Sequence, residues 1–187
     1  MRIFKTIFPL IVMIMVMILS TIFSSAFAYT KQWPLHSKGE VRYLKMIKVY
    51  DISLYSPNVV RAETILNANV SKCLKLDYAV NLSVDKFRLA TTKILSRQHS
   101  AEYLEKIKEP LDAFQQAYKP VKKGDSYSLC YNGRNQLMRL DLNGKNLIEI
   151  KSAELAKAYL GIWLSKNKPI SNPLYRSFFP VNRQGAL

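Results

Sequence analysis

An α+β domain, with an antiparallel sheet covered by helices on one side, is the fold class that three observations predict. Short stretches of period-two alternation fall before and after two helical stripes, and an Asn-Gly dipeptide at 143–144 joins two of the later strands. Strands, helices, three strands and helices in that order favour layers over an alternating βα wrap. No repeat and no low-complexity segment is present.

From Gly39 to Tyr55, alternating stretches around Tyr43–Lys45 and Val49–Tyr55 predict one or two strands, closed by Ser56, Pro57 and Asn58. Leu74, Leu76, Tyr78 and Val80 alternate with Lys75, Asp77 and Ala79, which predicts a half-buried strand. Ser83 is placed to cap a helix with Asp85 in its first turn, where the backbone dipole favours an acid, and Phe87, Ala90, Thr91 and Ile94 mark its inner face. Past Ser100, Tyr103, Leu104, Ile107, Leu111 and Phe114 recur at helical spacing, and Pro110 predicts a kink or break because it lacks an N–H and clashes with the preceding turn.

Lys122–Asp125 form a turn, after which Tyr127, Leu129 and Tyr131 alternate with serines and Cys130. Gln136–Leu142 and Leu147–Ile150 are paired across Asn143-Gly144, a hairpin signal because both central positions of that turn need positive φ. Ser152 caps the last main helix, with Glu154 in its first turn and Leu155, Tyr159, Leu160, Trp163 and Leu164 as its apolar face. Asn167–Ser171 turn the chain, and Leu174–Phe179 predict a short final helix.

The N-terminus is read separately. Arg2 and Lys5 precede an apolar run from Ile7 through Leu19, then Ser24, Ser25, Ala26, Phe27 and Ala28, with no acid among them. That order predicts a signal peptide over residues 1–28, cleaved after Ala28, and a single domain over 29–187; an uncleaved inner-membrane anchor is the competing reading. Removing 28 of the 187 residues leaves 159, one ordinary domain. Removing Arg2 and Lys5 lowers the formal charge of +15 to +13. Periplasmic or secreted placement follows.

So basic a chain favours anionic partners, including an anionic membrane surface. Its Lys and Arg are spread along the whole length with no nucleic-acid motif, so nucleic acid is not expected. Two cysteines and two histidines, His36 and His99, stand at no ligand spacing, which gives no metal site, and no pattern calls for a cofactor. Cys73 and Cys130 fall on the polar alternation of their strands, and an oxidising compartment would permit a disulfide between them if the strands are neighbours. No nucleophile elbow, paired-carboxylate motif or phosphate loop occurs. His99, beside Ser100 at a helix start, is read as part of a cap or loop. No pattern assigns an oligomeric state.

Four segments in order, KVYDISLYSP at 48–57, VKKGDSYSLCY at 121–131, LDLNGKNL at 140–147 and AYLGIWLSKNKPIS at 158–171, resemble the bacterial, exported branch of the chalcone isomerase-like family. The resemblance runs from about Gly39 to Phe178. It implies an open-faced sandwich, a large antiparallel sheet under a helical layer, with a pocket between them for a flat or elongated apolar ligand. The wider superfamily contains enzymes that close a chalcone to a flavanone and non-catalytic relatives that bind fatty acids.

Residue by residue, Arg42 in GEVR is similar to the arginine that stabilises the ligand's developing anion, a task suited to a guanidinium fork. Tyr50 stands where the enzymes have a threonine, and the segment between Arg42 and Tyr50 is shorter than theirs. Tyr103 is similar to the tyrosine that helps hold the ligand ketone, while Pro110 stands where a donor asparagine is expected, which disfavours chalcone. The leading reading is thus an exported, non-catalytic protein that binds a fatty acid or similar anionic amphiphile through Arg42, Tyr50 and Tyr103. A chalcone-type isomerase, and a docking protein with a filled pocket, are the alternatives.

Overall fold

The computed structural model describes residues 33–180; the segment read as a signal peptide lies outside them. Among the described residues six strands, β1 (Leu35–Tyr43), β2 (Ile47–Tyr55), β3 (Lys72–Tyr78), β4 (Ser126–Asn132), β5 (Leu137–Leu142) and β6 (Lys145–Lys151), form one sheet in sequence order, every neighbour antiparallel. Between β3 and β4 run α1 (Val84–Gln98), α2 (Ala101–Lys106) and α3 (Lys108–Gln116); α4 (Ala153–Leu164) and α5 (Asn172–Phe178) follow β6.

Period-two alternation decides which face of the sheet is covered. Ile52, Leu54, Leu74, Leu76, Leu129 and Leu140 are all but fully buried beneath the helices. The opposite alternation carries Lys48 with Asp51, Lys75 with Asp77, and Arg139 with Asp141 and Glu149 as ion pairs. The domain is therefore a one-sided α+β sandwich, as the strand and helix order predicts.

Cys73 and Cys130 stand directly opposite one another on β3 and β4 and are bonded as a disulfide across the outer side of the sheet. Both are fully buried.

The helices depart from the sequence reading in three places. Ser83 sits at the N-cap of α1, but its side chain makes no capping bond, whereas Ser100, Ser152 and Ser171 each accept the backbone N–H three residues on. The stripe from Tyr103 to Phe114 breaks at Ile107, not at Pro110, which occupies the first turn of α3. Its ring would meet the carbonyl one turn earlier, so the interruption falls upstream, while the first turn needs no N–H from it. Finally, α4 is buried all round from Ala158 to Leu164, where the sequence pattern predicts a single apolar face. It packs against α1, α5 and β5.

Candidate functional site

A cavity of about 770 Å³ lies between the β1–β3 end of the sheet and helices α1 and α4. Its floor is Tyr50, Leu76 and Tyr78, and its roof is Phe87, Ala90 and Ile94 of α1 with Ile162 and Trp163 of α4. The lining is mostly apolar with a few polar groups, the usual character of a small-molecule site, and its volume falls within the range of roughly 300–1,000 Å³ for such sites. The side chain of Ala90 is solvent-exposed although it points into this space.

A β-bulge builds one wall. Val41 pairs with Tyr50 and Arg42 with Lys48, which leaves Val49 as the extra residue on β2. The added twist re-aims the strand ends, and the consecutive Val41, Arg42 and Tyr43 all line the cavity. The period-two reading of this strand contains no sign of the bulge.

The polar groups inside are tyrosine and threonine hydroxyls with the Trp163 indole N–H, and the Asn81 amide is also in the lining. Trp163 Nε1–H donates to Tyr50 Oη at 2.9 Å, tying α4 to β2. Tyr159 Oη–H donates to Tyr118 Oη at 2.9 Å, and Thr91 Oγ1 lies 3.3 Å from Tyr159 Oη. Tyr78 packs edge-on against Tyr50 with ring centres 5.3 Å apart, and its hydroxyl has no hydrogen-bond partner among the described residues. Burial pushes the Tyr50, Tyr78 and Tyr118 phenols far up and that of Tyr159 up to about 12, so all four stay protonated at neutral pH. They are donors, not bases. Among the described residues lining the cavity there is no aspartate, glutamate or histidine, so the site offers fixed dipoles and apolar surface and no general base of the usual kind.

Charge is confined to the mouth. Arg42 lines it from β1 and Lys86 from α1. The Arg42 guanidinium is engaged: Nε donates to Glu40 Oε1 at 2.6 Å, Nη2 to Glu40 Oε2 at 3.2 Å, and Nη1 to the Met46 carbonyl at 3.0 Å. Hydrogen bonding from Arg42 holds the Glu40 carboxyl below the usual carboxylate range. Lys86 makes no ion pair among the described residues.

Of the three residues singled out from sequence, Arg42 and Tyr50 border the cavity, at its mouth and floor. Tyr103 does not. It stands on α2, its hydroxyl donates to the Glu154 carbonyl at 3.3 Å and its ring stacks on His99 at 4.8 Å, so it fastens α2 to the start of α4. His99 is the C-cap of α1. Sequence reasoning missed Tyr78, Tyr118, Tyr159 and Lys86 as cavity residues. Tyr78 shares the alternation of Leu74 and Leu76, which marks it as inward-facing; Tyr118 sits in the loop after α3 and leaves no periodic trace.

A family model described as chalcone isomerase-like matches residues 25–177. The chain belongs to the chalcone isomerase-like family. No curated protein matches it. Among solved structures, this chalcone isomerase-like chain is similar to a fatty-acid binding protein of Arabidopsis thaliana, with a TM-score of 0.60 and 13% identity over 81% of this chain and 89% of that one. At that identity the likeness speaks for the fold.

Proposed function

We propose that this protein is an exported, non-catalytic carrier that holds a fatty acid or similar anionic amphiphile between sheet and helices. The observation that carries the reading is the cavity itself, about 770 Å³ of mostly apolar lining with cations only at its mouth. Such a layout sorts the two ends of an amphiphile. A carboxylate buried beside Tyr78 and Tyr159 would lose its hydration with no cation to replace it, which is costly. At the rim it keeps water and meets Lys86, while Arg42 contributes as far as Glu40 shares its fork. The acyl chain then runs inward past Ala90 and Ile94 toward Ile162 and Trp163. The similar Arabidopsis thaliana protein is a fatty-acid binding protein, which supports this assignment. Export rests on the pattern of residues 1–28.

Ala90→Trp tests the site with little risk to the fold, because the new ring enters open space and removes no packed atom. The expected result is a loss of at least about tenfold in affinity for a long-chain fatty acid, with a helix-propensity cost of only about 0.5 kcal/mol in thermal stability. Lys86→Glu is expected to weaken the acid and leave its methyl ester unaffected. Fatty-acid affinity unchanged by Ala90→Trp, measured by displacement of a fluorescent fatty acid, would place the ligand elsewhere and overturn the assignment.

A further inference from the structure

The β1–β2 hairpin is built against the usual rules for its turn. Leu44 and Lys45 are its two central residues, with φ of 49° and 62°, closed by Met46 N–H donating to the Tyr43 carbonyl. The β5–β6 hairpin also places two left-handed residues at its turn, with φ of 51° and 78°, and fills them with Asn143 and Gly144, the residues this conformation favours. A leucine in the left-handed region is strained, and such strain persists where the position serves something besides folding.

What surrounds Leu44 indicates the purpose. Leu44 is 67% exposed and Met46 73%, and next to them Tyr43 and Ile47 are more than half exposed. Across the cavity mouth, Leu89 of α1 is 71% exposed. Tyr43, Ile47 and Leu89 all line the cavity, so the apolar patch is continuous with its lining. Other exposed large hydrophobic side chains of the described residues, Leu35 and Val59, do not line it.

The charged side chains that line the cavity at this end, Arg42 and Lys86, are cationic, and exposed Asp85, one residue before Lys86, is outside the lining. The two acids nearest in sequence, Glu40 and Asp51, are neutralised by Arg42 and Lys48. Lys45 at the tip and Lys86 at the mouth make no ion pair among the described residues. Apolar side chains at an apex with unpaired lysines beside them suit the interface of an anionic bilayer, where the former enter the headgroup boundary and the latter meet lipid phosphates. A protein partner with an apolar groove would match Leu44 and Met46 but gives no reason for the patch to run into the cavity.

We infer that the Tyr43–Ile47 hairpin tip, with Leu89 and Lys86 opposite, docks on an anionic lipid surface and holds the cavity mouth against the bilayer. The inference rests on the carrier reading: a fatty acid could then pass between bilayer and cavity without crossing water.

Leu44→Trp places a reporter at the apex. The protein is taken as its cells export it, its N-terminus fixed by intact mass, and mixed with vesicles of phosphatidylcholine alone or with phosphatidylglycerol. The expected result is a blue-shifted emission, quenched by brominated acyl chains on the phosphatidylglycerol vesicles, with partitioning weakened on the order of tenfold by adding Lys45→Glu. A Leu44→Asn, Met46→Gln variant, read by vesicle sedimentation, is expected to keep its thermal midpoint and lose binding relative to the wild type. Emission indifferent to phosphatidylglycerol vesicles would overturn the inference, and so would a signal from the introduced indole that pairing of two copies in solution explains. Uptake of a fluorescent fatty acid is read on the same sample. Uptake without insertion removes the docking surface and leaves the carrier; insertion without uptake supports the docking surface and removes the carrier.

Discussion

Between pH 10 and 12 the protein is expected to unfold in one cooperative step that coincides with ionisation of its buried tyrosines. An unfolded tyrosine titrates near pH 10. Below that pH both states are protonated and the native state keeps its full stability. Above it the unfolded chain releases protons that the buried phenols retain, so stability falls as pH rises toward the folded values. Tyr159, pushed up to about 12, costs on the order of 3 kcal/mol across this window, and Tyr50, Tyr78 and Tyr118 are displaced in the same direction. All four act in the same direction against the roughly 5–15 kcal/mol that holds an ordinary domain. Tyrosinate absorbance and far-ultraviolet circular dichroism, followed together, check this. The buried set should ionise only as the dichroism is lost. Gradual ionisation of all tyrosines under a native spectrum would mean that water and hydroxide reach the cavity floor freely.

Removing the disulfide carries the other large effect. Cys73 and Cys130 are 57 residues apart in sequence, and their bond keeps the unfolded chain from separating β3 from β4. In the chain-entropy account a loop of that length stabilises by about 4 kcal/mol. For a domain of this size that corresponds to a drop of about 10 °C in Tm. The Cys73→Ala, Cys130→Ala double variant should show it in a thermal scan, and reductant should bring the wild type down to the same midpoint. A variant melting within about 2 °C of the oxidised wild type would show that the sheet register alone holds these strands.

The layered fold is legible because alternation, caps and the Asn143-Gly144 turn all agree on it. The first hairpin is not, since Leu44 and Lys45 carry none of the residues that announce a left-handed turn; the period-two reading therefore runs a strand through Tyr43–Lys45 where the structure turns. The bulge at Val49 escapes for a related reason: a period-two pattern shows which side chains share a face and not where one residue is added. Helical spacing has the same gap. It puts Tyr103 on a stripe but does not say that the stripe meets Glu154 and His99 in place of the cavity. Arg42, read from the sequence as a ligand-binding residue, lines the cavity, and its pairing with Glu40, two positions away on the same strand, depends on side-chain geometry that spacing does not convey. The tyrosines that give the cavity its chemistry come from β2, β3, α4 and the loop after α3, and only the folded chain brings them together.

The most direct measurement is native mass spectrometry of the wild-type protein purified gently from its producing cells, followed by organic extraction. A carrier of this kind should show a population heavier by the mass of one fatty acid per chain, with that acid recovered in the extract and rebound when added back. A chain that emerges empty and takes up no added fatty acid would contradict it.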